Sequence, residues 1–306
     1  MSQTHDVIII GAGPAGLAAA IYTGRARLDT LLLEKATPGG QILLTDFVEN
    51  YPGFPDGIAP FQLMEDFRKQ AEKFGARITM DDVREVDRKE DFWRLVGNRG
   101  DYSARAVIIA TGSSHRKLDV EGERELTGRG VSYCATCDGA FFMNKEAAVV
   151  GGGDWALTEA LFLTRFCSIV KIIHRRDQFR GEKILQERVF ENSKIKVLWG
   201  TVVEKISGAD SLKSVTIRNV KDNTTSNLKL DGLFVSIGTV PNSEIVKDLV
   251  TLNEWGEIKV GNNMSTNQPG LFAAGDVTNA CPQQMATAVG TGVAAAIAVN
   301  DYLSGG

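Results

Sequence analysis

The chain has 306 residues, of which 43% are hydrophobic and 24% charged, a composition typical of folded proteins with sizeable cores and long enough for two domains. The formal net charge of −4 and the isoelectric point near 5.6 provide no basic field for a phosphate backbone, which argues against a nucleic-acid partner. No apolar run approaches the roughly 18 residues of a membrane span, and the first residues lack a basic region ahead of an apolar one. The sequence therefore predicts a cytoplasmic protein without a membrane partner.

A buried strand followed by a glycine-rich turn opens the chain. Residues 6–10 form the β-branched run DVIII, the sequence GAGPAG follows at residues 11–16, and helix-forming residues come next. A second strand then delivers Glu34 about 20 residues after the first glycine, where a carboxylate accepts a hydrogen bond from a ribose hydroxyl. The pattern predicts a dinucleotide site that contains Gly11, Gly13, Pro14, Ala15, Gly16 and Glu34.

Two of the four cysteines lie in one short motif, CATCDG, at residues 134–139. Cys134 and Cys137 can close a small disulfide, and a helix start or a positive environment lowers the pKa of a thiol in such a motif. Asp138 is placed to exchange protons with a departing thiolate. A zinc site would need two more ligands at comparable spacing, and Cys167, Cys281 and the three histidines supply none. The motif therefore predicts a redox disulfide and no metal.

The strand–turn–helix unit recurs after the cysteine motif. The strand AAVV at residues 147–150 is followed by GGGDWA at residues 151–156, and the next strand leads to a basic cluster about 20 residues later. In this copy the basic residues replace the carboxylate, which suits the 2′-phosphate of NADP(H) better than an unphosphorylated ribose. The alternative is a solvated loop face. The predicted nucleotide residues are Gly151, Gly153, Asp154, Ala156, His174, Arg175, Arg176 and Arg180.

Other segments of the chain support a duplicated architecture. Apolar strands at residues 106–112 and 232–238 each end in glycine, and alternating stretches at 92–96 and 214–218 are typical of small antiparallel sheets. A last buried strand at 270–276 precedes a helix from about residue 284 to 302. The predicted fold class is α/β, with two Rossmann-like dinucleotide-binding units.

The motifs, taken in this order, resemble those of the low-molecular-weight, FAD-containing thioredoxin reductases over nearly the whole chain. The resemblance implies two three-layer ββα domains, the second inserted in the first. The FAD-binding domain contains residues 1–113 and 243–306, and the NADPH domain between them, at 114–242, carries the redox disulfide. It also implies a homodimer. By the same matching, further residues near FAD are Gly40, Gln41, Asn50, Thr111, Gly112, Gly275, Asp276, Gln283, Gln284 and Met285.

The resemblance also implies a reaction. Electrons pass from NADPH through FAD to the disulfide and then to thioredoxin, with Cys137 facing the flavin, Cys134 attacking the partner and Asp138 acting as the acid. The inserted domain carries both the nucleotide and the disulfide, so the resemblance implies a rotation between domains. Phe141 and Phe142 match residues that dock thioredoxin, although an aromatic pair at this position equally suits core packing.

Three residues depart from the pattern of the family. Trp155 stands where Ser or Thr is usual beside the pyrophosphate, Thr158 replaces a usual Glu, and Gln283 stands where Arg is common. An indole at residue 155 either fills the space of the phosphates or turns away. A reductase of the same fold that takes electrons from ferredoxin or a deazaflavin therefore stays open, as does a non-catalytic redox sensor that binds nucleotides. The alternative role for Asn50 is to shape the turn before Pro52, and the alternative for Gln284 is an ordinary helix start.

Overall fold

The computed structural model describes residues 4–45, 47–280 and 282–305, so Cys281 lies outside the described residues. The strands are β1 (Thr4–Ile10), β2 (Thr30–Glu34), β3 (Arg77–Met80), β4 (Val83–Arg88), β5 (Trp93–Gly97), β6 (Asp101–Ile109), β7 (Ser113–His115), β8 (Val131–Ser132), β9 (Glu146–Gly151), β10 (Ile169–His174), β11 (Ile195–Trp199), β12 (Thr201–Gly208), β13 (Leu212–Asn219), β14 (Thr225–Lys229), β15 (Gly232–Ser236), β16 (Thr239–Pro241) and β17 (Leu271–Ala273). The helices are α1 (Pro14–Arg25), α2 (Pro60–Lys73), α3 (Glu123–Leu126), α4 (Ala135–Asp138), α5 (Asp154–Leu163), α6 (Lys183–Glu191) and α7 (Met285–Leu303).

The chain divides into two compact units. The first contains residues 4–43, 47–114 and 240–305, and the second contains residues 44–45 and 115–239, so the second unit is inserted in the sequence of the first. The short strands β7 and β16, where the chain passes between the units and returns, pair with each other. The assignment of a cofactor to each of the predicted domains 1–113, 114–242 and 243–306 stays a prediction.

The first unit contains a parallel sheet with an antiparallel extension. Its parallel strands follow the order β3, β2, β1, β6, β17, while β4 and β5 continue antiparallel from the first half of the long strand β6. The central strand β1 is apolar on both faces, as parallel strands covered on both sides are. Val7 and Ile9 pack in a core with α1, α2 and α7, and Ile8 and Ile10 pack in a second core with β4 and β5.

The second unit repeats this plan. Its parallel sheet has the order β11, β10, β9, β15, β8, and a separate antiparallel sheet contains β12, β13 and β14. One face of the parallel sheet packs with α5 and α6, and the other packs toward the antiparallel sheet. The predicted α/β class with two Rossmann-like units is confirmed, as are the small antiparallel sheets. Within the described ranges, no helix has the length and apolar character needed to cross a membrane.

Candidate active site

The first glycine-rich turn joins β1 to α1. Gly11 has a φ of +105°, which a residue with a side chain adopts only under strain, and a Cβ there would lie 2.3 Å from the Ala110 carbonyl oxygen. A Cβ on Gly16 would lie 1.8 Å from the Gly11 carbonyl oxygen, so α1 approaches the turn this closely only without a side chain. Pro14 is the first residue of α1, and Ala15 is buried in its first turn. The glycines at 11 and 16 therefore permit a tight turn between strand and helix, as the predicted dinucleotide motif requires.

Gly13 leaves its side-chain position and the start of α1 unobstructed. Gly13 is the N-cap of α1 and supplies no capping side chain, so the first amides of the helix are available to an anion. A Cβ at this position would meet no atom closer than the Cα of Gly40, 3.9 Å away. An added carbon at Gly13 would thus meet no close contact, which is compatible with the predicted approach of phosphates to this turn.

Glu34, the last residue of β2, is buried beside this turn. Its Oε2 accepts a hydrogen bond from the Ala12 amide at 2.7 Å, and its Oε1 accepts one from the Ala36 amide at 2.9 Å. A carboxylate has about four acceptor positions, so Glu34 orders the glycine-rich turn and retains capacity for a hydroxyl group. Its position fits the predicted ribose contact.

Ser113 links two more of the predicted FAD residues. The Nε2 of Gln41 donates to the carbonyl oxygen of Ser113 at 2.6 Å and to its Oγ at 2.8 Å. Burial raises the pKa of Asp276 above its ordinary value, and a hydrogen bond with the Ser113 side chain offsets part of that rise. Residues that are distant in sequence thus form one polar cluster in the first unit.

The remaining predicted FAD residues lie at turns and helix ends of the same unit. Thr111 Oγ1 donates to the Asn242 carbonyl oxygen at 2.8 Å. Gln284 is the N-cap of α7, and Asn50 Nδ2 donates to its Oε1 at 3.4 Å, so Gln284 does begin a helix and its role toward flavin stays a prediction. Met285, another member of the set, is the buried first residue of α7. The remaining members also lie in the first unit: Gly40, Gly112, Gly275 and Gln283.

The second glycine-rich turn joins β9 to α5 in the second unit. A Cβ on Gly151 would lie 2.2 Å from the Ser236 carbonyl oxygen and 2.6 Å from the Cβ of Ala156. Gly153, the N-cap of α5, would meet nothing within 4 Å if it carried a Cβ, which again leaves room for phosphates. Asp154 begins the helix, and its Oδ1 accepts a hydrogen bond from the Glu182 amide at 2.6 Å.

The basic cluster after β10 separates into exposed and buried members. Arg175, Arg176 and Arg180 are exposed, and their guanidinium groups form no ion pair with the described part of the chain. His174 is buried: its Nε2 lies 3.0 Å from the Gln178 carbonyl oxygen, and its ring fills the space that a Cβ on Gly152 would need. Burial lowers the pKa of His174, so it favours the neutral form. His174 therefore differs from the three arginines in exposure and packs against the turn at Gly152, and its contact with a 2′-phosphate stays a prediction.

Trp155 turns toward a neighbouring ring. Its indole lies 5.8 Å, centroid to centroid, from the imidazole of His115, which stacks on its other side with Tyr133 at 6.2 Å. Tyr133 in turn donates to Glu123 Oε1 at 2.8 Å. The structure thus shows a tilted contact between the indole and the His115 ring, and a clear space for the phosphates stays a prediction.

The cysteine motif forms the predicted disulfide. Cys134 and Cys137 are bonded, with their Cα atoms 5.4 Å apart. Cys134 is buried and is the N-cap of the short helix α4, where its Sγ accepts a hydrogen bond from the Cys137 amide at 3.1 Å. Cys137 is exposed. An amide that points at sulfur stabilises a thiolate once the bond is reduced.

The side chains that follow the disulfide, Asp138, Phe141 and Phe142, differ in burial and in their contacts. Asp138, the last residue of α4, is partly buried, and its carboxylate forms no hydrogen bond or ion pair with the residues that the structure describes. Phe142 is 8% exposed and packs edge to face on Phe234 at 5.4 Å, whereas Phe141 is 73% exposed. The aromatic pair thus divides: Phe142 belongs to the core, and only Phe141 is open to a partner.

Sequence reasoning missed Glu159, a buried carboxylic acid in α5 that contacts the cysteine motif. The available signal was one acidic residue in the apolar stretch from Ala156 to Leu163. Cys167 is fully buried, and burial raises the pKa of its thiol to about 11, in agreement with a packing role. Within residues 4–45, 47–280 and 282–305, no cluster of three or more His, Cys, Asp or Glu side chains is arranged to hold a metal ion.

Comparisons with known proteins agree with this arrangement. The family model described as pyridine nucleotide-disulphide oxidoreductase matches residues 5–292. The chain is 47% identical over 291 residues to a thioredoxin reductase of Listeria innocua, covering 95% of this chain and 91% of the relative, and 46% identical over 302 residues to one of Bacillus subtilis, covering 98% and 95%. The crystal structure of Lactococcus lactis thioredoxin reductase superposes with a TM-score of 0.96 at 42% identity, covering 99% of this chain and all of that chain. The chain therefore belongs to the pyridine nucleotide-disulphide oxidoreductase family and, within it, to the low-molecular-weight thioredoxin reductases.

Proposed function

We propose that this protein is an enzyme that takes electrons from NADPH, passes them through FAD to the Cys134–Cys137 disulfide and reduces the disulfide of thioredoxin. FAD and NADPH are the cofactors that family membership implies. The observation that carries the proposal is the closed disulfide at the start of α4, in the same unit as the second glycine-rich turn and the unpaired arginines.

The chain's own residues account for binding and for the thiol chemistry. Bound FAD supplies transfer of an electron pair between the nicotinamide and the disulfide. Reduction breaks the Cys134–Cys137 bond and gives two thiols after uptake of two electrons and two protons. The Cys137 amide then stabilises the Cys134 thiolate. Because Cys134 is buried in this structure, its attack on the partner disulfide requires the rotation between domains that the resemblance implies. The attack forms a mixed disulfide that the second cysteine resolves. Asp138 is proposed to supply and receive the protons, because its carboxylate forms no hydrogen bond or ion pair with the residues that the structure describes.

NADPH is preferred over ferredoxin or a deazaflavin as the donor. Three exposed guanidinium groups without carboxylate partners suit the additional phosphate of NADPH. The indole of Trp155 makes a tilted contact with the His115 ring, and no atom lies within 4 Å of the place where a Cβ on Gly153 would stand. These observations support a nucleotide site despite the large residue, and the relatives are enzymes, which disfavours a non-catalytic sensor.

The remaining expectations concern the setting of the reaction. We infer that thioredoxin docks beside the exposed ring of Phe141, that two copies of the chain form a homodimer and that the protein acts in the cytoplasm. Support for the first comes from the exposure of a large aromatic side chain three residues after Asp138, the last residue of α4. Support for the homodimer comes from the resemblance alone, and the cytoplasmic setting rests on the sequence prediction.

The decisive experiment uses the FAD-loaded protein and its Cys134→Ser variant under anaerobic conditions. NADPH should bleach the flavin absorbance of both proteins, because hydride transfer does not require the disulfide. Turnover with thioredoxin should fall by at least about 1,000-fold in the variant, because the attacking thiolate is lost. Reduced ferredoxin replaces NADPH in a parallel measurement.

Two outcomes would contradict the proposal. Unimpaired thioredoxin turnover in Cys134→Ser would show that the disulfide does not carry the electrons. Flavin that stays oxidised with NADPH but is bleached by reduced ferredoxin would show that the donor is wrong, while the thioredoxin assay with that donor would still test the disulfide step.

A further inference from the structure

A buried carboxyl group lies beside the disulfide, and the proposed reaction does not use it. Glu159 is 4% exposed and belongs to α5, where its helix neighbours Ala156, Ala160 and Leu163 pack in the apolar core of the second unit. Placing a carboxyl group in such surroundings is costly unless hydrogen bonds compensate. Its bonds therefore indicate what it does.

Glu159 connects three elements of the second unit. Its Oε1 accepts a hydrogen bond from the Ala135 amide at 2.8 Å, and its Oε2 accepts one from the Ser236 hydroxyl. Ala135 is the first residue of α4, and Ser236 is the last residue of β15. One carboxyl group thus ties the helix of the nucleotide-binding turn to the disulfide helix and to the sheet.

The bond to Ala135 acts on Cys134 directly. The Ala135 amide belongs to the peptide group that follows Cys134, while the amide of Cys134 itself donates to Ser132 Oγ at 3.0 Å. The backbone on both sides of the buried cysteine is therefore held by side chains. Loss of either bond would free the peptide group that sets the direction of the Cys134 side chain.

We propose that Glu159 is a positioning residue of the redox centre, which fixes the Cys134 end of the motif and, through the charge of its carboxyl group, controls how readily the reduced pair forms a thiolate. The inference rests on the proposed function, in which the pair alternates between disulfide and dithiol. It differs from the roles of Asp138 and the cysteines because Glu159 acts through the motif's backbone and its electrostatic field.

The charge of Glu159 changes in the neutral pH range. Burial raises the pKa of Glu159 to about 7, and the hydrogen bonds from Ser236 and Ala135 offset part of that rise. No ionised neighbour contributes to this shift. Other titratable groups lie on α5 and on the elements packed against it. They are Asp154 on α5, Cys137 and Asp138 on α4 with Cys134 as its N-cap, Glu146 on β9, Lys171 and His174 on β10, and Lys183, Glu187, Arg188 and Glu191 on α6.

The sign of the effect follows from like-charge repulsion. After the disulfide has taken up two electrons and two protons, Cys134 becomes an anion when its thiol loses one proton, and its Sγ lies 3.1 Å from the Cys137 amide, in the turn whose Ala135 amide Glu159 holds. An ionised Glu159 disfavours that second anion, whereas a protonated Glu159 does not. Glutamine at this position keeps an acceptor for Ala135 and stays neutral at every pH.

The experiment measures thiol reactivity, independently of bound cofactors. Protein with Cys137→Ser is reduced with dithiothreitol, the reductant is removed, and alkylation of Cys134 by iodoacetamide is followed by peptide mass spectrometry. Glu159→Gln is compared with the parent and with Glu187→Gln, an exposed glutamate on α6. We expect equal rates at about pH 6, and at about pH 8.5 a rate about three to ten times higher in Glu159→Gln.

Two further variants separate charge from position. Ser236→Ala keeps the carboxyl group and removes a bond that lowers the pKa of Glu159, so the suppression of alkylation should begin at higher pH than in the parent. A second measurement uses the FAD-loaded enzyme with both cysteines. The rate of thioredoxin turnover should be about tenfold lower in Glu159→Ala than in the parent, and Glu159→Gln should retain most of the parent's rate.

Identical pH profiles of alkylation in the parent and Glu159→Gln would overturn the charge effect. An equal loss of turnover in Glu159→Gln and Glu159→Ala would overturn the positioning role. Failure of the proposed function would be distinct: in that case the parent enzyme would not reduce thioredoxin at all, whatever its alkylation profile.

Discussion

Asp81 and Asp276 show how one residue type acquires opposite behaviour from its surroundings. Burial alone raises the pKa of Asp81, but hydrogen bonds from Tyr102, Arg99 and other donors outweigh it and bring the pKa below its ordinary value. The Tyr102 hydroxyl donates to Asp81 Oδ2 at 2.8 Å. For Asp276, burial prevails and raises the pKa. The number of hydrogen-bond donors decides the direction in which the pKa of each acid shifts, and the predicted flavin site contains the acid with few donors.

Removal of the Tyr102 hydroxyl tests this account through stability. Because the folded state lowers the pKa of Asp81, its ionised form stabilises the fold above about pH 4, and that contribution is lost as the pH falls through the folded-state pKa. We expect Tyr102→Phe to reduce the free energy of unfolding by about 1–2 kcal/mol at neutral pH and by less in acid. Urea unfolding at several pH values provides the measurement, with the exposed Tyr22→Phe as a control. A loss that does not depend on pH would contradict the charged hydrogen bond.

Helix α7 shows how element packing depends on single atoms. Gly292 faces α1, where a Cβ would lie 2.1 Å from the Ala15 carbonyl oxygen, whereas a Cβ on Gly290 of the same helix would meet nothing within 4 Å. The two glycines are therefore a matched pair within one element. The first permits close approach beside the predicted pyrophosphate turn, and the second only lowers helix propensity.

Alanine at these two positions should change stability in opposite directions. We expect Gly292→Ala to destabilise the fold by about 2–4 kcal/mol through separation of α1 and α7, and Gly290→Ala to stabilise it by about 0.5–1 kcal/mol. Thermal unfolding of the FAD-free proteins measures both. The close packing of α7 on α1 would be refuted by equal midpoints for Gly292→Ala and the parent.

At the scale of the whole molecule, each unit has its own sheet, its own pair of apolar cores and its own glycine-rich turn. This duplication gives two glycine-rich turns, at each of which the sequence predicts a dinucleotide. A carboxylate, Glu34, lies at the first turn, and an arginine cluster lies after the corresponding strand of the second. The difference in charge predicts which ligand each unit binds.

Hydrogen exchange can assign the two ligands. FAD added to the FAD-free protein should protect amides in residues 11–16 and 34–41, and NADP⁺ should protect residues 151–156, because a ligand that binds the folded state suppresses local opening. In the Arg175→Ala, Arg176→Ala double variant, NADP⁺ protection should fall by at least about tenfold in apparent affinity, while FAD protection stays unchanged. Protection of the second turn by FAD would contradict the assignment.

The sequence by itself determined the features that depend on local order. The glycine-rich turns, the strands before them, the disulfide and the repeated α/β plan could all be predicted, because each rests on backbone freedom or on residues a few positions apart. Residue spacing also placed Glu34 and the arginines at the ends of their strands.

Only the tertiary structure decided which side chains meet across long stretches of chain. It brought Gln41 to Ser113 and Glu159 to Ala135, buried His174 under its turn, and separated exposed Phe141 from buried Phe142. The physical reason is that burial and hydrogen-bond partners arise from packing among distant elements. A pattern along the chain records neither of these for a single glutamate or histidine.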